Sequence, residues 1–382
     1  MFQFARALSR SHEVHLFACG GEREAAALAN DDALTLYASR HIRNNDLGAV
    51  PPVVSSKRVR RSCPRKLAND LLEAHTAQPF DGIVIEHSYA AATALRVESV
   101  PRVIDEHNVE SAYQEQYDAA ERRGRGRLDR REIRLLSEWE HAVWSTAALV
   151  TCVSDADAGL IRAHRTGPVE VVSNGASLRS IPFALPSRRT GRDILFVGLM
   201  SHAPNVAAAR FLARDVMPRV WAAEPAARLV LCGRSPSREV HALARPGVEV
   251  TGTVPSVVPY LERAAVYANA LAHGAGSSLK VPEAMAAGIP LISTDVGVRG
   301  FPIEPGEHYA RATSPEDFAA EILRVLRDRS RYDTRAERAH AVAQAYGWDD
   351  LAARFAALAT SAIESSRSKL ATAAEPDDEA SG

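Results

Sequence analysis

The sequence predicts an α/β protein of two successive Rossmann-like domains, each built on a parallel sheet. Short apolar runs typical of buried strands alternate with helical patterns along most of the chain, which indicates βαβ units. The chain also has 382 residues, more than one ordinary domain core accommodates. Because parallel sheets bind ligands at the carboxyl ends of their strands, two such domains predict an interdomain cleft as the ligand site.

Composition and charge exclude several classes of function. The formal net charge is −1, from 46 basic and 47 acidic residues, which argues against a nucleic-acid partner. The four cysteines are scattered without a CxxC pair, so neither a zinc site nor a disulfide framework is predicted. No run approaches the roughly 20 apolar residues that span a bilayer, and the first residues lack a signal-peptide core. We expect a cytoplasmic protein with at most peripheral contact at the inner face of the membrane.

Residues 1–178 predict the amino-terminal domain. A helix over 1–12 leads directly into a strand over 13–17, as though the first strand of a parallel sheet were missing. The basic stretch 51–66 is expected to be a solvated loop, with contact to an anionic lipid headgroup or polyprenyl phosphate as the alternative. The remaining predicted strands are 33–37, 82–86, 102–105, 148–153 and 169–172, and the remaining predicted helices are 67–78, 88–96 and 110–146, the last interrupted near Gly124 and Gly126.

Two loops at predicted strand ends carry polar side chains, namely EHS at 86–88 and DEHN at 105–108. A lone histidine in a loop is more often structural, but its position at the carboxyl end of a strand favours a functional role. Further along, Asp155 and Asp157 resemble a DxD metal motif. We interpret them instead as first-turn acids behind an N-cap at Ser154, because they complement the helix dipole there.

A second βα series over residues 190–345 predicts the carboxyl-terminal domain, after a proline- and arginine-containing linker at 176–192. A terminal helix over 347–365 is expected to pack back on the first domain, and 366–382 is expected to be disordered. The predicted strands of this domain are 194–198, 228–232, 248–251, 265–268 and 291–293, and its predicted helices are 204–223, 238–244, 257–263, 315–329 and 333–345.

The stretch 274–294, GAGSSLKVPEAMAAGIPLIST, predicts a glycine-rich turn, a helix and a buried strand. Its glycines permit close approach of a ligand, and a serine can cap the helix, whose free N–H groups suit a phosphate. A lysine and a glutamate three residues apart lie on one helix face, although the local pattern equally fits an ordinary exposed pair. The residues concerned are Gly274, Gly276, Ser277, Ser278, Lys280 and Glu283.

The runs ILFVGLMSHAPN (194–205), VLCGRSP (230–236), VTGTVPSVVPYLERAAVY (250–267) and 274–294 resemble the donor domain of retaining GT-B glycosyltransferases of family 4 (glycosyl transferases group 1). DEHNVES (105–111) and VVSNGAS (171–177) are similar to the amino-terminal domain and linker of that family.

The resemblance implies retaining transfer of a sugar from a UDP- or GDP-linked donor to a hydroxyl acceptor. A lipid-linked glycan in cell-surface polysaccharide or glycolipid assembly is one such acceptor. The resemblance implies no metal and no cofactor beyond the nucleotide-sugar co-substrate. It also implies roles for particular residues. Catalysis is assigned to His107, Lys280 and Glu283, and donor binding to Gly198, Ser201, Arg234, Gly276, Ser277 and Ser278. The two loops at predicted strand ends, rather than the resemblance, place His87, Ser88 and Asn108 on the acceptor side.

The chain departs from the family pattern at three places. Ala275 stands where relatives often have a second glutamate, and Ser278 stands where they often have arginine. The third departure is at the start: in the family, a strand and a glycine-rich acceptor loop precede a helix like 1–12, and neither is found in this sequence. The last motivates an alternative function, a catalytically weak GT-B binding or scaffold protein. A dinucleotide oxidoreductase is disfavoured, because no GxGxxG follows the first strand of either domain.

Overall fold

The structure is a computed structural model that describes residues 2–19, 34–39, 56–121, 130–273, 278 and 280–374. The chain divides into two compact units, Met1–Val172 with Ala352–Gly382 as the first and Ser173–Leu351 as the second. Every strand pairing recorded between named strands is parallel, and helices lie between most of the successive strands that the structure describes. The predicted α/β class with parallel sheets is therefore confirmed.

The first unit contains a two-stranded and a four-stranded parallel sheet. Its helices are α1 (Phe2–Leu8), α2 (Lys57–Ser62), α3 (Arg65–Ala77), α4 (Glu110–Glu121), α5 (Arg130–Thr146) and α6 (Asp155–Arg162). Strands β1 (Val14–Cys19) and β2 (Leu34–Ser39) pair with each other, whereas β3 (Ile83–Glu86), β4 (Arg102–Glu106), β5 (Leu149–Cys152) and β6 (Val169–Val171) form the larger sheet in that order. No ladder joins β1 to β3 among the described residues, and the missing first strand stays a prediction.

Two segments of the first unit differ from their sequence predictions. Residues 57–62 were expected in a loop but form α2, because Ser56 caps the helix and Val59 is fully buried. The Ser56 hydroxyl accepts from the Val59 N–H at 3.2 Å. Residues 88–94 form a 3₁₀ helix rather than the α-helix expected over 88–96. The tighter coil suits its run of small, buried residues.

The helix cap predicted at Ser154 is confirmed. The Ser154 hydroxyl accepts from the Asp157 N–H at 3.2 Å at the start of α6. The Asp157 carboxylate also accepts from the Val109 N–H at 3.4 Å, just before α4. This acid therefore joins two helix starts within the first unit.

The second unit is built on one six-stranded parallel sheet in the order β12-β11-β10-β7-β8-β9. Its strands are β7 (Asp193–Val197), β8 (Arg228–Cys232), β9 (Val248–Gly252), β10 (Ala264–Asn269), β11 (Leu291–Ser293) and β12 (Ala310–Arg311). Its helices are α7 (Ala203–Phe211), α8 (Met217–Trp221), α9 (Arg238–His241), α10 (Val258–Arg263), α11 (Lys280–Ala286), α12 (Pro315–Arg327) and α13 (Asp333–Ala343). Because β7 is flanked by β10 and β8, the loops after these strands meet at one edge.

The helix predicted over 204–223 is interrupted. A π-helical turn at Leu212–Val216 separates α7 from α8. Pro218 lacks an N–H and its ring would clash with the carbonyl four residues earlier, so a wider turn before it relieves the conflict. The short β12 was also not predicted, since two residues leave no periodic pattern.

The terminal helix α14 (Trp348–Ala374) runs nine residues past its predicted end, so the expectation of disorder from residue 366 is wrong as far as Ala374. Residues 366–374 are mostly good helix formers, which allows the helix to continue. Within the first unit, the Phe355 ring stacks on Phe4 with centroids 4.1 Å apart, and Ile363 fills the space beside Gly82. None of the described helices is both long and apolar enough to cross a membrane.

Candidate active site

The second unit places a lysine against the turn that follows β7. Lys280 is the first residue of α11, and its ammonium donates to Asn205 Oδ1 at 2.9 Å. The Phe196 ring of β7 lies beneath it, with 5.0 Å from Nζ to the ring centroid. A Cβ added to Gly198 would lie 3.2 Å from Nζ. A cation, an amide and an exposed backbone turn thus meet where parallel strands end.

Glycine is required in two touching turns beside this lysine. Gly233, after β8, has φ of +149°, and a Cβ there would overlap the Gly198 carbonyl oxygen. Gly198 donates its N–H to the Cys232 carbonyl at 3.0 Å, and Met200 donates to the Arg234 carbonyl at 3.0 Å. The absence of side chains at both glycines lets the two turns pack directly and leaves backbone near the ammonium.

Lys280 and Glu283 both titrate near neutral pH. Burial lowers the pKa of Lys280 to about 8, against the opposing attraction of Glu283. Burial raises the pKa of Glu283 to about 7, against the opposing attraction of Lys280. Burial first, and then Glu283, raise the pKa of Tyr267 well above its usual value. Glu283 therefore acts electrostatically on the buried end of β10 as well as on Lys280.

The other predicted donor residues have different outcomes. Ser201 and Arg234 are exposed on the two turns just described. Ser278 accepts from the Val281 N–H at 3.1 Å through its backbone carbonyl, rather than by a side-chain cap. Gly276 and Ser277 lie outside the described residues, so their predicted roles stay predictions.

In the first unit, His107 lies between two carboxylates just after β4. Its Nε2 is 2.6 Å from Glu86 Oε2 and 3.3 Å from Asp105 Oδ2. Asp105 also accepts from the Thr151 hydroxyl at 2.5 Å, which orients it from the next strand. Although burial lowers it, hydrogen bonds to Asp105 and Glu86 raise the pKa of His107 to about 10. At neutral pH His107 is therefore a cation and a hydrogen-bond donor.

His87 sits in strained backbone at the end of β3. It has φ of +68°, a region that non-glycine residues rarely occupy. Its ring stacks on Tyr89 with centroids 4.6 Å apart and lies 4.7 Å from the ring of His107. Its Nδ1 is 3.4 Å from Glu106 Oε2. The two predicted histidines thus lie beside each other.

Ser88 and Asn108, predicted on the acceptor side, contact neighbouring protein groups. The Ser88 side chain is fully buried, and its N–H donates to Glu106 Oε1 at 3.1 Å. Asn108 Nδ2 donates to Glu110 Oε2 at 2.9 Å. Both residues support the loop geometry around the histidines.

Three groups in the described part of the first unit also have a spacing that suits a metal ion. Ligand atoms of Glu86, Asp105 and His107 all lie within 4.8 Å of one another. The imidazole nitrogen, however, already lies at hydrogen-bonding and ion-pairing distance from the two carboxylates, the arrangement of a protonated histidine. The sequence expectation of no metal stays a prediction.

Sequence reasoning did not select Asn205 or Phe196, and it named Glu86 only as part of the polar loop 86–88, without a role. Asn205 had a recognisable signal, a polar residue at the start of an otherwise apolar helix, beside a strand end. Phe196 had none, because an apolar residue inside a strand looks like ordinary core. Glu86 had a weaker signal, its position at the last residue of a predicted strand.

Comparison with known families identifies the family of the chain. The model described as Glycosyltransferase Family 4 matches residues 1–179, and the model described as Glycosyl transferases group 1 matches residues 191–328. The chain belongs to the group 1 glycosyltransferases of the GT-B fold. A comparison with curated proteins found no significant match to this glycosyltransferase.

Solved structures similar to this glycosyltransferase share its fold at low identity. Sucrose-phosphate synthase from Thermosynechococcus elongatus is 18% identical, with a TM-score of 0.65 over 94% of this chain and 98% of that one. Anabaena Alr3699/HepE in complex with UDP-glucose is 15% identical, with a TM-score of 0.66 over 94% of both chains. S. aureus TarM is 12% identical at a TM-score of 0.59, and the match covers 77% of this chain and 58% of TarM.

Proposed function

We propose that this glycosyltransferase moves a sugar, with retention, from a UDP- or GDP-linked donor to a hydroxyl acceptor. The observation that supports this most directly is the half-buried ammonium of Lys280 beside the Gly198 turn. A similar structure, Anabaena HepE, was solved with UDP-glucose. A cation in a partly desolvated site attracts a diphosphate far more strongly than an exposed one.

On the donor side, Lys280 stabilises the negative charge that grows on the departing diphosphate. Glu283 accepts hydrogen bonds from the ribose hydroxyls. The acceptor oxygen bonds to the anomeric carbon on the face from which the diphosphate leaves, and the bond to the diphosphate oxygen breaks. The acceptor proton passes to that departing phosphate oxygen, so no protein base is required.

In the first unit, His107 donates a hydrogen bond to the transferred sugar or acceptor. Its two carboxylate neighbours keep the imidazole protonated, which suits a donor and excludes a general base at neutral pH. His87 supports the same edge of the unit through its contact with His107. Glu86 and Asp105 hold the ring of His107 in place, and Tyr89 stacks on the ring of His87.

The donor site is tested by isothermal titration with UDP and GDP and by transfer assays over a panel of their sugars. Lys280→Ala should slow transfer by about 10²-fold or more, because it removes charge stabilisation of the leaving group. Lys369→Ala is the matched control, since Lys369 is an exposed lysine on α14, outside the basic stretch 51–66. Unchanged rates in Lys280→Ala would remove this lysine from the proposed site.

Retention is checked by the anomeric configuration of the product in NMR spectra.

A lipid-linked glycan is the proposed acceptor class, in assembly of a cell-surface polysaccharide or glycolipid. Exposed cations on α2 and at the start of α3, namely Lys57, Arg61 and Arg65, suit the phosphate of such an acceptor. Rates with lipid-phosphate-linked and free acceptor sugars test this choice. Equal rates for both acceptors would contradict a lipid-linked acceptor.

Nucleotide binding without any transfer would favour the alternative function, a catalytically weak binding or scaffold protein.

A further inference from the structure

Asn205 links the two parts of the proposed donor site. It is only 5% exposed and lies in the first turn of α7. Its Oδ1 accepts from the Lys280 ammonium at 2.9 Å, and its Nδ2 donates to the Leu199 carbonyl at 3.0 Å. One rigid amide thus connects the cation on α11 with the turn that follows β7. Because the oxygen and the nitrogen of this amide bind different partners, the positions of Lys280 and of the Leu199 carbonyl are coupled.

The partner of the ammonium in this link is neutral. Among the described residues, the charged or titratable groups that act on Lys280 or feel its charge are Glu283, one turn along α11, and His202, on the turn after β7. Burial and then Lys280 lower the pKa of His202, so this histidine is uncharged near neutral pH and does not compete for an anion. The Phe196 ring covers the ammonium from β7.

We infer that Asn205 is a positioning residue, which holds the Lys280 ammonium beside the Gly198 turn while leaving its positive charge available to a donor diphosphate. This inference rests on the proposed donor function. A carboxylate at position 205 would form an ion pair and cancel the charge that the diphosphate needs. An apolar residue would leave the ammonium without a fixed direction.

Asn205 also bears on the protonation of Lys280. Burial lowers the pKa of Lys280, whereas a hydrogen bond accepted from the charged form favours that form. Removing the acceptor should therefore lower the pKa of Lys280 further, and replacing it with a carboxylate should raise it. The two substitutions move the pKa in opposite directions, which a purely structural role of Asn205 does not predict.

Competitive acetylation of amines across pH 6 to 11, followed by peptide mass spectrometry, measures this in the nucleotide-free protein. The chain contains only four lysines, so Lys57, Lys66 and Lys369 serve as internal references for Lys280. Asn205→Ala should lower the apparent pKa of Lys280 by roughly one unit, and the nearly isosteric Asn205→Asp should raise it by roughly as much. Both variants should bind UDP or GDP about tenfold more weakly at pH 7.

Thermal unfolding of both variants accompanies these measurements. Weaker nucleotide binding by Asn205→Asp with an unchanged unfolding midpoint supports positioning and charge rather than packing. An unchanged titration of Lys280 in both variants overturns the inference, even if both are less stable. Wild-type protein that binds neither UDP nor GDP refutes the proposed donor function and, with it, the part of this inference that concerns a diphosphate. Amine labelling still decides whether Asn205 holds Lys280.

Discussion

Among single residues, the pKa values of Lys280 and Glu283 lie much closer together than those of an ordinary lysine and glutamate. A lysine with a pKa of about 8 and a glutamate with a pKa of about 7 lie one helical turn apart. Each shift is dominated by burial, which disfavours the charged form of both groups. The pair is charged on both members only in a narrow range around neutral pH.

Donor affinity should accordingly be highest between about pH 7 and pH 8. Below about 7 Glu283 takes up a proton and becomes a weaker acceptor for hydroxyls, and above about 8 Lys280 loses its charge. Isothermal titration of UDP or GDP from pH 5.5 to 9.5 measures both limbs. Glu283→Gln should flatten the acid limb and move the alkaline limb to lower pH, because the charge of Glu283 raises the pKa of Lys280. A wild-type affinity independent of pH over this range would contradict these assignments.

The pKa of His107 should respond to a change at Glu86. Glu86→Gln removes one of the two carboxylates that raise this pKa to about 10, so the pKa should fall by at least one unit. NMR titration of the histidine ring protons measures it, with Glu98→Gln as a control on an exposed glutamate.

The stability contributed by His107 follows from the sign of its shift. The folded pKa lies above the ordinary value of about 6.5, so the contribution is complete below pH 6.5 and is lost as the pH rises through about 10. Urea unfolding at pH 6 and pH 10.5 should therefore show a larger loss for wild type than for Glu86→Gln. Equal losses would mean that the ion pairs add nothing to stability.

At the scale of elements, α11 is held at both ends. Asn205 contacts its first residue, and the buried Arg189 donates to the carbonyl of Ala287, the residue that directly follows the helix. Arg189 also donates to the Leu261 carbonyl at 2.8 Å at the end of α10 and to the Ala264 carbonyl at 3.0 Å. A guanidinium suits this position because it carries five donors in one plane. The direction of the helix that carries Lys280 and Glu283 is thereby restricted.

The packing of the turns after β7 and β8 should fail if Gly233 acquires a side chain. Gly233→Ala places a Cβ against the Gly198 carbonyl and in an unfavourable φ, which should cost about 2 kcal/mol or more of unfolding free energy and weaken nucleotide binding. Gly252→Ala is the matched control, because Gly252 also has a positive φ but open space around its Cβ position. That control should lose only about 1 kcal/mol. Equal losses of stability and binding in both variants would show that the contact between the turns is unimportant.

At the scale of the whole molecule, the chain returns to its first unit through α14 after completing the second. Phe355 is fully buried there and stacks on Phe4. Arg354 lies 3.7 Å from Glu170 of β6 in the same unit. The first unit is therefore assembled from both ends of the chain, and residues far apart in sequence share one core.

Phe355→Ala should destabilise the first unit by about 3 to 5 kcal/mol, the usual cost of removing a buried aromatic side chain. The change in the urea unfolding midpoint measures it. Leu370→Ala on the same helix is the control, since Leu370 is 48% exposed and should change stability by no more than about 0.5 kcal/mol. A similarly small effect of Phe355→Ala would mean that α14 is not part of this core.

Periodic patterns predicted most elements because strand and helix spacing is a local property of the chain. Two predicted helices differed from the structure, one because of its packing and one because of a proline that the apolar pattern ignores. The small residues at 88–94 pack as a 3₁₀ helix between larger elements, and Pro218 changes a helix that the apolar pattern alone reads as continuous. Family resemblance, rather than pattern, was needed to select His107 from the other histidines.

The α/β class, the order of βα units and the local pair of Lys280 and Glu283 follow from the amino-acid pattern alone, because each depends on residues only a few positions apart. The groups that act on that pair and on His107 follow from the folded arrangement. Asn205 lies 75 positions from Lys280, and Glu86 lies 21 positions from His107. Such partners meet because parallel strands bring their carboxyl ends to one edge, and burial at that edge then shifts the pKa values. Neither the strand order nor the burial can be read from a local stretch of sequence.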